Sequence, residues 1–201
     1  MQTHAKHLPA DERRAITVET VIELAAEQNP NDITTAAIAQ RMGLTQGALF
    51  RHFPTKESIL GAVMQWVAEH LLRRVDTAIL NCTSPLEALE KVFAAHIEFV
   101  AQHPGVPRML FGELQHAKDS AAKQMAKTLM QNYAKRIVHL LEKGKSAGEV
   151  SDEIDVAAAA TVFIGTIQGL VMQSMLTGDI GRIKGRAEGA FALYLRGIRK
   201  A

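Results

Sequence analysis

The sequence holds a single cysteine, Cys82, in 201 residues. That excludes an internal disulfide and leaves the thiol most simply read as a small packed apolar group. Aromatic residues are scarce at 5% of the chain, and no run alternates Val, Thr and Tyr with polar residues. Without period-two segments there is nothing to build a sheet from, so the fold class is all-α. Chemistry is equally thin. No glycine-rich phosphate loop or nucleophile motif occurs, and the eight histidines have no cysteine or carboxylate at metal-ligand spacing. His4 and His7 lie in a polar tail, His96 and His103 share the inward face of Leu89, and nothing fixes Glu98, Glu113 and His116 as an acid–base set. These absences argue against an enzyme, and no metal or cofactor is expected. The opening segment, MQTHAKHLPADERR, has no apolar core and so does not read as a secretory signal; a cytoplasmic location is expected. A surplus of one charge is missing too. The chain balances 23 basic against 21 acidic groups, and residues 1–60 carry six Lys/Arg against seven Asp/Glu. A nucleic-acid binder built on this segment has to gather its cations on one face, with Glu19, Glu23 and Glu27 turned away.

What is present is concentrated in residues 33–56, ITTAAIAQRMGLTQGALFRHFPTK. Thr34 or Thr35 opens a helix, Ile38, Ala39 and Met42 give it an apolar face, and Gly43 ends it. Leu44 plugs the corner, and Thr45 caps a second helix over residues 46–52. The small Ala39 four residues before Gly43 suits a tight crossing, the geometry of a helix-turn-helix. The exposed first turn of the second helix is Gln46, Gly47 and Ala48, slim enough to approach base edges in a major groove. Gln46 can pair with adenine through two hydrogen bonds, and Ala48 can meet a thymine methyl. Thr34, Thr35, Thr45, Arg51, His52 and Lys56 are spaced to bond phosphates.

Residues 13–67 resemble the N-terminal domain of TetR-family transcriptional regulators. The shared pattern is a threonine-led IA…G followed by [ST]-x-G-x-L-[YF]-x-H-F-x-x-K-E-x-L. Ile38, Ala39, Gly43, Thr45, Gly47, Leu49, Phe50, His52, Phe53, Lys56, Glu57 and Leu60 stand in register. The family usually has Tyr where this chain has Phe50, and that hydroxyl commonly touches the DNA backbone. The resemblance implies three N-terminal helices carrying the reading head. It also implies a larger helical domain with a ligand cavity, and dimerisation through the last two helices, for about nine helices in all.

The rest of the sequence fits this outline. A first helix is predicted from Asp11 to about Glu27, ended by Asn29-Pro30-Asn31-Asp32. After Pro54, Thr55 caps a helix over residues 55–80, roughly 35 Å long at 1.5 Å per residue, which connects a DNA-binding domain of residues 1–54 to a domain of residues 55–201. Ser84-Pro85-Leu86-Glu87 is a capping box that starts the next helix. His103-Pro104-Gly105-Val106-Pro107 breaks that helix at Gln102, and a short helix runs from Arg108 to His116. A longer helix spans residues 119–143, with Gly144 and Gly148 at its end.

Residues 156–178 carry no charge and contain Gly165 and Gly169 as a GxxxG. Length and motif satisfy a membrane-span template, but six Thr, Gln and Ser side chains interrupt the run, and burial in a core or subunit interface is the preferred reading. With Gly185, Gly189, Phe191 and Leu195 of the last helix, Gly165 and Gly169 are expected to form a homodimer interface. The middle helices offer Trp66, Phe93, Phe99, Met109, Met125, Tyr133, Phe163 and Met172, with His96, Glu113 and Gln168 as polar anchors. Such a stripe is either plain core or the lining of a small-molecule cavity, and the resemblance favours the cavity. The expected function is a homodimeric repressor that reads an inverted repeat in double-stranded DNA and is released by a small, largely apolar effector. The alternative is a ligand-independent architectural DNA-binding factor of the same fold.

Overall fold

The computed structural model describes residues 9–80, 82–115 and 119–200; His4, His7 and His116 lie outside them. The chain forms helices α1 (Ala10–Glu27), α2 (Thr35–Arg41), α3 (Gln46–Phe50), α4 (Lys56–Leu80), α5 (Pro85–Gln102), α6 (Gly105–Gln115), α7 (Ala121–Ser146), α8 (Val156–Leu176) and α9 (Ile183–Ile198). Single 3-10 turns occupy Pro30–Asp32 and Ile180–Arg182. Among the described residues the only sheet-like pairing is one antiparallel bridge between Val150 and Arg199. Two compact units result: Met1–Glu69 with His103–Lys127, and His70–Gln102 with Thr128–Ala201.

The first unit is organised around α1. Val21, Leu24 and Ala25 on α1 are buried together with Ile38, Ala39, Leu49, Phe53, Ile59 and Val63. α6 packs against α1 in the same unit. The contact is close because Gly105 has no side chain: a Cβ there would lie 2.2 Å from the Ile22 carbonyl oxygen and 2.8 Å from the Ala26 nitrogen. Arg108 then donates to the Ala26 carbonyl at 2.9 Å, satisfying one of the acceptors left open at the C-terminal end of α1. α6 therefore begins three residues before the expected Arg108. Pro107 does not prevent this, since an N–H in the first turn of a helix has no intrahelical partner to lose.

The second unit is built on α5, α8 and α9, with the later parts of α4 and α7. α5 starts where the capping box placed it. Ser84 Oγ accepts from the Glu87 N–H at 3.1 Å, and Glu87 Oε2 accepts from the Thr83 N–H and hydroxyl, both at 3.0 Å. Lys91, then Thr83, pull the Glu87 carboxyl down to about 2. α7 continues through Gly144 to Ser146, and Gly148, at φ +71°, ends the run. The glycine at 144 serves a close approach instead: a Cβ there would meet Val150 Cγ2 at 2.6 Å. α8 is capped by Asp155, whose Oδ1 accepts from the Ala157 and Ala158 N–H groups at 2.8 and 3.1 Å. By length and composition α8 could cross a membrane. One stripe of it (Ala159, Ala160, Phe163, Ile167, Leu170, Val171, Ser174) is instead buried within the unit.

Candidate nucleic-acid interface

Local chemistry shapes the reading head. Thr34 Oγ1 accepts from the Ala37 N–H at 3.1 Å and Thr45 Oγ1 from the Ala48 N–H at 3.2 Å, so each threonine caps the helix that follows it. Between them Gly43 adopts φ +66°, a left-handed conformation that a side chain would disfavour. The turn is closed by bonds from the Gly43 N–H to the Gln40 carbonyl (3.0 Å) and from the Leu44 N–H to the Ala39 carbonyl (2.8 Å). α3 is shorter than expected. It stops at Phe50, with Arg51 and His52 in the turn beyond it, because Pro54 disfavours the helical conformation at Phe53.

Leu49 and Phe53 are buried and anchor α3. Gln46, Gly47, Phe50 and Arg51 are exposed, and these positions share one helical face. Ala48 and His52 flank them half-buried. Thr34 and Thr45 are exposed at the caps, while Thr35 and Lys56 are half-buried. Gln46 Nε2 donates to Thr35 Oγ1 at 3.1 Å, tying α3 to the start of α2, and Lys56 Nζ donates to the Asn31 carbonyl at 3.4 Å. Phe50 keeps 41% of its surface open, so its ring is presented outward rather than packed.

Two cationic side chains were not among the candidates. The Arg14 guanidinium lies 4.3 Å above the Phe53 ring and donates to the His52 carbonyl at 2.6 Å, fixing the end of α3 from α1. Its signal was only an arginine one helix away. Arg41 makes two bonds to Glu27, at 2.5 and 3.1 Å. The pairing holds the Glu27 carboxyl below its usual range. Glu19, Glu23 and Glu27 are all exposed, but Glu27 is spent on Arg41 instead of simply facing away. Arg51 makes no ion pair among the described residues and remains available to an anion.

The expected pocket residues divide. In the first unit Met109 and Glu113 are buried, Glu113 accepting from the Ser120 hydroxyl at 2.8 Å; Trp66 and Met125 are half-buried, and Trp66 stands edge-on to His103 with centroids 5.1 Å apart. In the second unit Phe93, Phe99, Tyr133 and Phe163 are buried. The Phe93 and Phe163 rings meet edge to face at 5.5 Å. His96 Nδ1 lies 3.0 Å from the Tyr133 hydroxyl, and burial lowers the imidazole to about 4 while raising the phenol, so both are neutral. Gln168 and Met172 are not part of this interior. At 100° per residue they point away from the Phe163–Ile167–Ser174 stripe, and both are exposed.

The expected interface residues divide as well. Gly165, Gly169, Gly185 and Gly189 lie where nothing stands within 4 Å of a would-be Cβ. Phe191 is instead interior: its ring lies 5.0 Å from Phe93 and 6.4 Å from Phe163. Leu195 is half-buried on the flank that faces α5. The large apolar groups left open on α8 and α9 are Val162 (55%), Met172 (41%), Leu176 (79%) and Leu193 (66%). Of these, Met172 was expected inside and the other three were not singled out; α8 carries no charged residue that would set its phase.

Comparison with known proteins follows this geometry. Residues 18–63 match the family of bacterial regulatory proteins named for tetR, and residues 82–172 match the tetracyclin repressor-like C-terminal domain. The nucleoid occlusion factor SlmA of Vibrio vulnificus is 23% identical over 146 residues, 73% of this chain and 74% of that protein. The ketosteroid transcriptional regulator KstR2 of Mycobacterium tuberculosis superposes with a TM-score of 0.77 at 22% identity, over 94% of this chain and 96% of that one. FadR of Bacillus subtilis, solved with stearoyl-CoA, gives 0.78 at 20% identity, over 92% and 98%. The capped helix-turn-helix and both matched segments make one assignment: the chain is an all-α, DNA-binding transcriptional regulator of the TetR family.

Proposed function

We propose that the protein is a homodimeric repressor in which residues 1–54 read an inverted-repeat operator and residues 55–201 carry dimerisation and effector binding. The observation that carries this reading is the exposed first turn of α3, held by Thr45 and by the Gln46–Thr35 bond. Each subunit lays Gln46, Gly47 and Ala48 into one major groove, while Thr34, Thr35, Thr45, Arg51, His52 and Lys56 bond phosphates. Near neutrality of the head means that useful affinity needs two heads. The outer faces of α8 and α9 supply the means: Val162, Leu176 and Leu193 are exposed, and Gly165, Gly169 and Gly189 leave room for a facing helix. The Thr161 and Thr166 hydroxyls on α8 bond back to the Ala157 and Val162 carbonyls at 2.8 and 2.7 Å, so these two donors keep their partners when the face is covered.

The effector is small and largely apolar, seated by Phe93, Phe99 and Phe163 and oriented by the neutral His96–Tyr133 pair. Support comes from those buried groups and from the names of two structural neighbours, one a ketosteroid regulator and one solved with stearoyl-CoA. Releasing DNA tenfold requires the effector to favour the non-reading conformation by about 1.4 kcal/mol. The protein acts in the cytoplasm by binding rather than by turnover. A second reading, a DNA-binding factor without an effector, is favoured by the SlmA relationship over about three quarters of both chains. Selection of bound sequences from random DNA tests the main proposal: enrichment of an inverted repeat is expected, and Gln46→Ala relaxes base preference at one position per half-site. Recovery of no repeat refutes it, and purified protein whose DNA binding ignores every apolar ligand favours the second reading.

A further inference from the structure

α9 presents more than a core face. Ile183, Ala187, Phe191, Tyr194 and Ile198 are buried, and Leu193 looks outward with the glycines proposed for dimerisation. At 100° per residue, the flank carrying Lys184, Glu188 and Leu195 is turned roughly half a turn away from Leu193. Between that flank and α5 runs a groove of about 480 Å³. Its size falls within the range of small-molecule sites, roughly 300–1,000 Å³. Phe93, Ile97 and Phe191 form an apolar floor, with the two rings tilted at 41° to one another.

The rim is acidic. Glu90, Glu98 and Glu188 border the groove, and Lys184 is the only cation there among the described residues. Lys184 is already taken: its Nζ reaches across from α9 to Glu98 Oε2 on α5. Glu90 and Glu188 make no hydrogen bond or ion pair among the described residues, so two uncompensated carboxylates overlook an aromatic floor. We propose that this groove binds an organic cation, its apolar body on Phe93 and Phe191 and its positive centre held by Glu90 and Glu188. An anion meets repulsion at the rim, and a neutral ligand gains nothing from it. The groove lies away from the α9 face proposed for dimerisation, so it stays open in that dimer. The groove shares Phe93 with the proposed effector position, but Phe191 and the carboxylate rim belong to the groove alone, and the proposal does not depend on the effector reading.

Tetraphenylphosphonium and tetraphenylborate, ions of matched shape and opposite charge, provide the test. Calorimetry on the full-length protein without DNA is expected to show saturable phosphonium binding, one per subunit, about tenfold tighter than borate binding. The double change Glu90→Gln with Glu188→Gln weakens the phosphonium about fivefold and spares the borate, as raised salt does. Ala94→Trp, placed at an exposed position beside the groove, abolishes phosphonium binding. Thermal melting and operator affinity, measured on each variant, report folding and the regulator reading separately. Absent phosphonium binding, equal affinity for both ions, or indifference to either set of substitutions overturns the proposal. So does dissociation of the dimer by Ala94→Trp in sedimentation, which would give the groove to a second copy of the chain.

Discussion

Replacing Gly105 with alanine tests the packing beneath the reading head most directly. The added Cβ would lie 2.2 Å from the Ile22 carbonyl oxygen, 2.8 Å from the Ala26 nitrogen and 3.0 Å from the Ala25 carbonyl carbon, where ordinary contact begins near 3.4 Å. All three atoms are α1 backbone, so no side-chain rotation relieves the overlap. Either α6 retreats by roughly 1 Å or its first turn unwinds; overpacking of this kind costs about 1–3 kcal/mol. Retreat also stretches the 2.9 Å bond from Arg108 to the Ala26 carbonyl, a charge-assisted bond of a type worth about 1.5–3 kcal/mol. A net loss of about 2–3 kcal/mol is expected, which for a chain of this length lowers the melting temperature by roughly 4–12 °C. Urea unfolding at fixed protein concentration reads it as a lower midpoint with an unchanged slope. Gly61→Ala is the control, because nothing lies within 4 Å of a Cβ there; in the interior of α4 it gains up to about 1 kcal/mol. A Gly105→Ala protein as stable as the parent, or an equal loss at both positions, refutes the close approach of α6 to α1.

Phe50→Tyr adds a hydroxyl to a ring that is 41% exposed on the reading face. A new phosphate bond of about 1 kcal/mol makes operator binding about fivefold tighter by fluorescence anisotropy, and unchanged affinity means that the ring does not face the backbone. His96 has its pKa lowered by burial to about 4 from the ordinary 6.5. The unfolded chain therefore takes up the proton first. The stability of the neutral folded form is fully present above pH 6.5 and is lost as pH falls toward 4, at up to about 1.4 kcal/mol per pH unit. His96→Asn flattens the dependence of the urea midpoint between pH 7 and 5, and a slope shared by both proteins excludes His96 as its source. Leu193→Glu charges an exposed apolar group on the proposed dimer face; sedimentation is expected to show monomers, and an unmoved dimer assigns the interface elsewhere.

The reading head was legible in sequence because its determinants are local. Thr34, Gly43 and Thr45 act on backbone groups within three or four residues, so cap, turn and cap appear in the order in which they fold. The same locality explains the start of α5 at its capping box and the all-helical class. Phase and partner choice were less legible. α8 has no charged residue to mark its outer side, so Gln168 and Met172 were assigned inward; Phe191 of α9 was assigned outward although that helix does carry charges. Packing against α5 set the opposite orientation, placing Phe191 5.0 Å from Phe93. Likewise the HPGVP segment looked like a break, yet Gly105 seats α6 directly on α1, a contact between residues more than seventy positions apart. Periodicity and capping thus determined which segments are helices and which one reads DNA. Long-range packing alone decided which face of each helix is inside, where an acidic groove opens, and how α6 meets the reading head.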